Sequence, residues 1–200
     1  MGAVQILGHT SGEVARVDAN NRLHVQATTD SSQHSAVAAK RGYNINTGWV
    51  TMTDAADTGL LYFKNNEAND FHVEQFVFGF DTHANGTATD LVRVRIIKSI
   101  TSGDIIDDAV VCPVISNSYV GSGTTLDADV FIGDTADGAH TGGTVHAHIG
   151  SSDFAHASIP LIMSIPKGEN ILITVDAPAS TDSFPMYAAM IGHITDPESD

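Results

Sequence analysis

The sequence predicts an all-β protein: an antiparallel, jelly-roll-like β-sandwich preceded by an extended N-terminal arm or hairpin. Three observations carry that expectation. Short apolar runs alternate with polar residues at a period of two, as in residues 91–98, where Val92, Val94 and Ile96 share one phase. Gly, Pro, Asn and Asp bound these runs, and the chain holds 18 glycines. Helix-favouring tracts of Leu, Lys and Glu are scarce. Two hundred residues suffice for one domain with a sizeable core plus an appendage.

Residues 1–40 read as the arm. Residues 13–18 and 22–26 each alternate, and Asn20-Asn21 between them suits a tight turn that needs positive φ. So small a hairpin is marginal alone and needs a larger body to lie on. Its side chains Val14, Arg16, Val17, Arg22, Leu23 and Val25 are therefore candidates for contact with the main body, a neighbouring subunit or a larger particle. Residues 27–35 are polar, lack apolar periodicity and read as a linker.

Residues 41–200 read as the sandwich. Strands are expected at residues 49–53, 60–64, 71–80, 91–98, 110–115, 130–132, 159–165, 170–175 and 186–194. In residues 71–80, Phe71 and Val73 share one phase while Phe76, Phe78 and Phe80 share the other, so a bulge near Glu74-Gln75 or burial on both faces is required. Ile159, Leu161, Met163 and Ile165 alternate, Pro166 to Glu169 supply a turn, and Ile171, Ile173 and Val175 resume the alternation, which predicts a hairpin. Pro160 belongs at a strand start or on an edge, because it donates no ladder hydrogen bond. Residues 116–158, rich in Gly, Thr, Asp and His, read as a long excursion from the sandwich.

Charge is unevenly placed. The formal net charge is −15. Residues 1–40 balance Glu13, Asp18 and Asp30 against Arg16, Arg22 and Lys40, whereas in residues 101–200 Lys167 is the one base among many acids. Such a chain is a poor ligand for phosphate backbones or anionic membranes, so neither nucleic acid nor membrane is an expected partner. No apolar run approaches the roughly 18 residues of a membrane span. Met1-Gly2-Ala3-Val4 lacks the basic start of a signal peptide, so a protein made in the cytoplasm is expected.

Chemistry-bearing patterns are weak. The single cysteine, Cys112, lies in the apolar run from Val110 to Val114 and reads as a buried side chain. His140, His146, His148 and His156 crowd together, and in an extended strand His146 and His148 project from one face, the start of a metal site in a cupin-like centre or on a threefold axis. Two ligands fall short of a coordination shell, and no cofactor is expected. The groups Asp104/Asp107/Asp108, Asp127/Asp129 and Asp134/Asp137 lack EF-hand spacing and read as acidic surface. No nucleophile elbow or phosphate loop is present, and Asn85-Gly86-Thr87 reads as a turn, so an enzyme is not expected. Tyr43, Trp49 and Tyr62 offer either a carbohydrate platform or core packing, and core packing is the expectation.

Gly8-His9-Thr10-Ser11-Gly12, the run from Val17 to Val25, Tyr43-Asn44-Ile45-Asn46-Thr47-Gly48 and the run from Leu60 to Glu67 together resemble the accessory proteins that decorate or cement the capsids of tailed bacteriophages. That resemblance implies a structural virion protein on the capsid surface. It would be a homo-oligomer, with a trimer favoured, whose arm contacts the major capsid protein. It implies no catalytic residues. A receptor- or glycan-binding virion protein is the alternative, and a cupin-like metal-dependent enzyme a more distant one.

Overall fold

The computed structural model describes residues 16–17, 23–24, 32–52, 57–80, 92–134, 138, 140–151, 157–176 and 184–195. The chain divides into two units, Met1–Ser31 and Ser32–Asp200. In the first unit, β1 (Arg16–Val17) and β2 (Leu23–His24) pair antiparallel, with Arg16 opposite His24 and Val17 opposite Leu23.

The second unit begins with α1 (Ser32–Ala38), where sequence reasoning placed the end of the linker. Ala36 is buried, and the helix stops with Lys40 in the left-handed conformation (φ 62°). The Lys40 N–H donates to Val37 O and the Arg41 N–H to Ala36 O, the paired closure that ends many helices. Polarity alone suggested a linker; buried Ala36 and half-buried Val37 provide the small apolar side of a helix that packs on strands β3 (Gly42–Asn46) and, at the far end of the chain, β15 (Phe184–Ile194). Gly42 makes room for it, since a Cβ there would come 2.7 Å from Val37 Cγ2.

The remaining elements follow in order: β4 (Val50–Met52), β5 (Thr58–Asn65), β6 (Phe71–Phe80), β7 (Val92–Gly103), α2 (Asp104–Asp107), β8 (Val110–Val111), β9 (Val114–Asn117), β10 (Ala128–Ile132), β11 (His140–Ser151), β12 (Ala157–Ile159), β13 (Met163–Ile165), β14 (Asn170–Asp176) and β15 (Phe184–Ile194). They form two antiparallel sheets. The first has the order β11-β7-β14-β5-β10-β8; the second has the order β12-β6-β15-β3-β9, with β13 also on β6 and β4 also on β15. Within them, β3-β15-β6-β12 and β5-β14-β7-β11 interleave strands as an eight-stranded jelly roll does, the first strand lying beside the last. The segment carrying β8, β9 and β10 is inserted between the fourth and fifth of these eight and widens both sheets.

The expected all-β sandwich is therefore the fold, and its core lies between the sheets. Phe63, Phe71, Phe76 and Phe78 are fully buried there with Ile96 and Ile173. The two phases of residues 71–80 are reconciled by a bulge: Gln75 faces Ile191 and Val73 faces Gly192, leaving Glu74 unopposed. Asn65, fully buried, ties the sheets at one end: its Nδ2 donates to Asn69 O and to Ile165 O (both 2.9 Å), and its Oδ1 accepts from the Glu67 N–H (3.0 Å).

Three expectations are corrected. Residues 159–165 and 170–175 do not form a hairpin, because β13 pairs with β6 while β14 lies between β5 and β7 in the other sheet. Their turn, closed by the Glu169 N–H on Pro166 O, crosses from sheet to sheet, and alternation looks the same either way because both strands face one core. Within residues 116–158, read as an excursion, β10 and the twelve-residue β11 belong to the first sheet, their backbones paired despite sparse apolar side chains. Residues 42–46 form a central strand, β3, where sequence reasoning placed none, since Asn44 and Asn46 face away from the core while Tyr43 and Ile45 fill it.

The first sheet is buried on its outer side as well. A row of apolar residues crosses it strand by strand, Val145, Ile97, Leu172, Tyr62, Phe131 and Val111, each opposite the next. Tyr62 and Phe131 stack with centroids 5.7 Å apart, and Ile105 of α2 closes over the middle of the row. Only the ends, Val145 and Val111, are exposed.

Candidate functional site

The surface most suited to contact lies where β8 and β9 end the two sheets. Among the described residues, no strand pairs with the outer side of either, so one line of backbone N–H and C=O groups in each sheet remains open. Six of the nine exposed large apolar side chains among the described residues fall between Val110 and Val120, a density that marks this edge as a patch and not as scattered exposure. Register places Val111 and Val114 on the outer faces, opposite Phe131 and Asn46. Val110 and Ile115 have the inward phase, opposite Ile132 and Ile45, yet stay 49% and 37% exposed. The mouth between the sheets is therefore open and apolar on this side.

Cys112 links the two edge strands across that mouth. It is buried as expected, its N–H bonds Val130 O (2.9 Å), and its thiol donates to Asn46 O at 3.2 Å. Burial raises the thiol pKa, which keeps it protonated and unreactive. Farther along, Asn117 Nδ2 donates to Lys40 O, and the Lys40 ammonium sits 5.4 Å from the Tyr119 ring centroid. The sequence predicts one strand over residues 110–115, with Cys112 buried, and does not foretell the edge. The available signal was charge: no Asp, Glu, Lys or Arg occurs between Asp108 and Asp127.

The aromatic candidates separate. Tyr43 and Tyr62 are buried, as core packing requires, and burial raises both phenol pKa values. Trp49 is not in the core. It precedes β4, stands 62% exposed, and meets Tyr187 edge to face at 4.9 Å. Tyr187 lies opposite Gly79, where any Cβ would collide with its ring. The rings meet at 77°, so they form a corner and not a flat platform.

His146 and His148 are both exposed on β11. A bulge falls at His146, between the pairs Val145–Ile97 and Ala147–Ile96, and Ala147 and Ile149 are the residues turned toward the core. No group of three His, Cys, Asp or Glu side chains is disposed around a metal-sized space among the described residues. Of the hairpin candidates, Arg16, Val17 and Leu23 lie on β1 and β2, while Val14, Arg22 and Val25 fall outside the described residues, as does Asn85-Gly86-Thr87.

A titratable cluster lies on the outer face of the second sheet. His193 and His72 are cross-strand partners with rings stacked at 5.5 Å, and Glu74 Oε1 approaches His193 Nδ1 at 2.8 Å without the alignment of a hydrogen bond. Burial lowers the His193 pKa; Glu74 opposes that shift, while His72 and Arg41 add to it.

No protein-family model matches the chain, and no curated protein matches it.

Proposed function

We propose that this chain is a structural decoration protein that binds and stabilises the outside of a tailed-phage capsid. The observation that carries the reading is the division into a small N-terminal unit, residues 1–31, and a jelly-roll body, combined with the capsid-accessory resemblance of both parts. The arm anchors the molecule on the major capsid protein through the hairpin candidates Val14, Arg16, Val17, Arg22, Leu23 and Val25. The acidic second half of the chain faces solvent, where its charge keeps a densely covered shell soluble. Copies on a symmetric shell, as the trimer implied by the resemblance or another homo-oligomer, add weak contacts through multivalency.

Undecorated capsids mixed with the full chain and with a chain lacking residues 1–31 test the reading. Binding by the first and loss by the second is expected; equal binding removes the role of the arm, and binding by neither removes the capsid.

A second reading rests on Trp49. An exposed indole braced by Tyr187 is a stacking surface for a sugar ring, which suits a receptor- or glycan-binding virion protein. Glycan-array signal abolished by Trp49→Ala, with capsids ignored, would favour it.

A further inference from the structure

We infer that the β8–β9 edge is the surface through which one copy of this chain binds a second copy. The inference rests on the oligomeric part of the reading above and not on the capsid.

Three independent features converge on this edge. Both sheets terminate there with unpaired strand edges, so an incoming chain finds open donors and acceptors on β8 and on β9. Val110 and Ile115 have core-facing phase and remain part-exposed, so the core is unfinished on this side. Neither β8 nor β9 carries a register shift against its neighbour, which leaves their edges straight enough to pair.

Charge selects the occupant. Two copies with a net charge of −15 repel over most of their surfaces. They approach at least cost where charged side chains are fewest, and this edge is formed by residues 109–126, which carry no charge of their own and have the Lys40 ammonium beside Tyr119. A basic partner would be drawn instead to the acids that flank it, at Asp107 and Asp108 on one side and Asp127 on the other. A like-charged copy therefore fits this edge better than an oppositely charged protein does. When the edges meet, Val111, Val114 and Ile115 leave water together, and the open backbone groups pair across the contact.

The test is the oligomeric mass of the full chain, by light scattering and native mass spectrometry over a dilution series. Wild type is compared with the double variant Val111→Glu/Val114→Glu and with Ile162→Glu, a substitution at another exposed apolar residue outside the edge. Circular dichroism establishes that each is folded. The expected result is an oligomer for wild type and Ile162→Glu, and self-association weakened about tenfold or more in the double variant. A wild type that stays monomeric throughout overturns the inference, as does an Ile162→Glu variant that dissociates equally. Capsid binding, measured on the same proteins, separates the two proposals. A monomeric wild type that binds capsids overturns only this one, and if the double variant then loses capsids, the edge is the capsid-docking surface. An oligomer that ignores capsids overturns only the function proposed above.

Discussion

The two edges of the sandwich are built from the same element, a strand with one side unpaired, and they are treated in opposite ways. At one edge β11 runs twelve residues but is bent twice, by register shifts at Thr141/Gly142 and Val145/Ala147, with Gly142 and Gly143 both at positive φ. Its neighbour β12 is three residues long and runs straight into Pro160, which offers no N–H. These are the devices that stop a strand edge from recruiting another chain. At the other edge, β8 and β9 are also short, two and four residues with Pro113 between them, but they have no bulge and several exposed valines. The difference teaches that this molecule bends one edge with bulges and glycines and leaves the other unbent and apolar, as a contact surface requires.

The largest expected effect comes from straightening the blunted edge. A Cβ on Gly143 would lie 2.6 Å from Ile97 Cγ2 and 3.0 Å from Lys98 O, at φ +85°. Gly143→Ala should cost about 2–4 kcal/mol from backbone strain and overpacking together, read by urea denaturation. Beside the open edge, Gly121 has the same handedness (φ +81°) with nothing within 4 Å of its Cβ position. Gly121→Ala should cost only about 1 kcal/mol, the backbone part alone. Equal losses at the two sites would mean that crowding contributes nothing to the shape of β11.

Acidification should also separate the body from the open edge. His140 on β11 and His193 on β15 both have pKa values lowered from the ordinary histidine range, chiefly by burial, with Arg95 adding to the first. The unfolded chain therefore takes up protons first. Their contribution to stability is complete above about pH 6.5, the unfolded value, and falls as pH drops below it through the folded values. Thermal melts from pH 7.5 to 5 should show this decline, and His140→Gln/His193→Gln should flatten it. The β8–β9 edge carries no histidine, so wild-type oligomeric mass should hold across the part of the range in which the protein stays folded. The smallest effect is chemical. Cys112 should react with a thiol reagent far more slowly than a free thiol, because it is buried and its pKa is raised. Fast labelling of the native protein would mean that the segment joining β8 to β9 opens readily.

Much of the body was legible because a sandwich strand writes its buried face into the sequence at a period of two. The phase flip between Val73 and Phe76 foretold the bulge at Glu74. What alternation does not encode is which sheet a strand joins, so β13 and β14 looked like a hairpin. Nor does it reveal strands held by backbone pairing with few apolar side chains, such as β11, or a strand whose outward positions are asparagines, such as β3. The aromatic that the pattern assigned to the core, Trp49, precedes its strand by one residue, and that single position turns it outward. The contact edge was hidden because Val110 to Ile115 is as apolar as any core strand; Pro113 breaks it in two and hands one half to each sheet.

The pairing of β3 with β15, the first strand of the jelly roll with the last, has a consequence for how the protein is made. Gly42 meets His193, and Asn46 meets Ala189, across nearly the whole length of the body. At about 5–20 residues per second, a ribosome needs roughly 7–30 seconds to carry the chain from one to the other. Throughout that interval β3 stands without β15, and for most of it β5 stands without β14, although β9 and β10 can pair their other sides sooner. The sandwich therefore closes only as its final strand emerges, and the nascent chain must be kept from its fellows during the interval before it has two finished edges to tell apart.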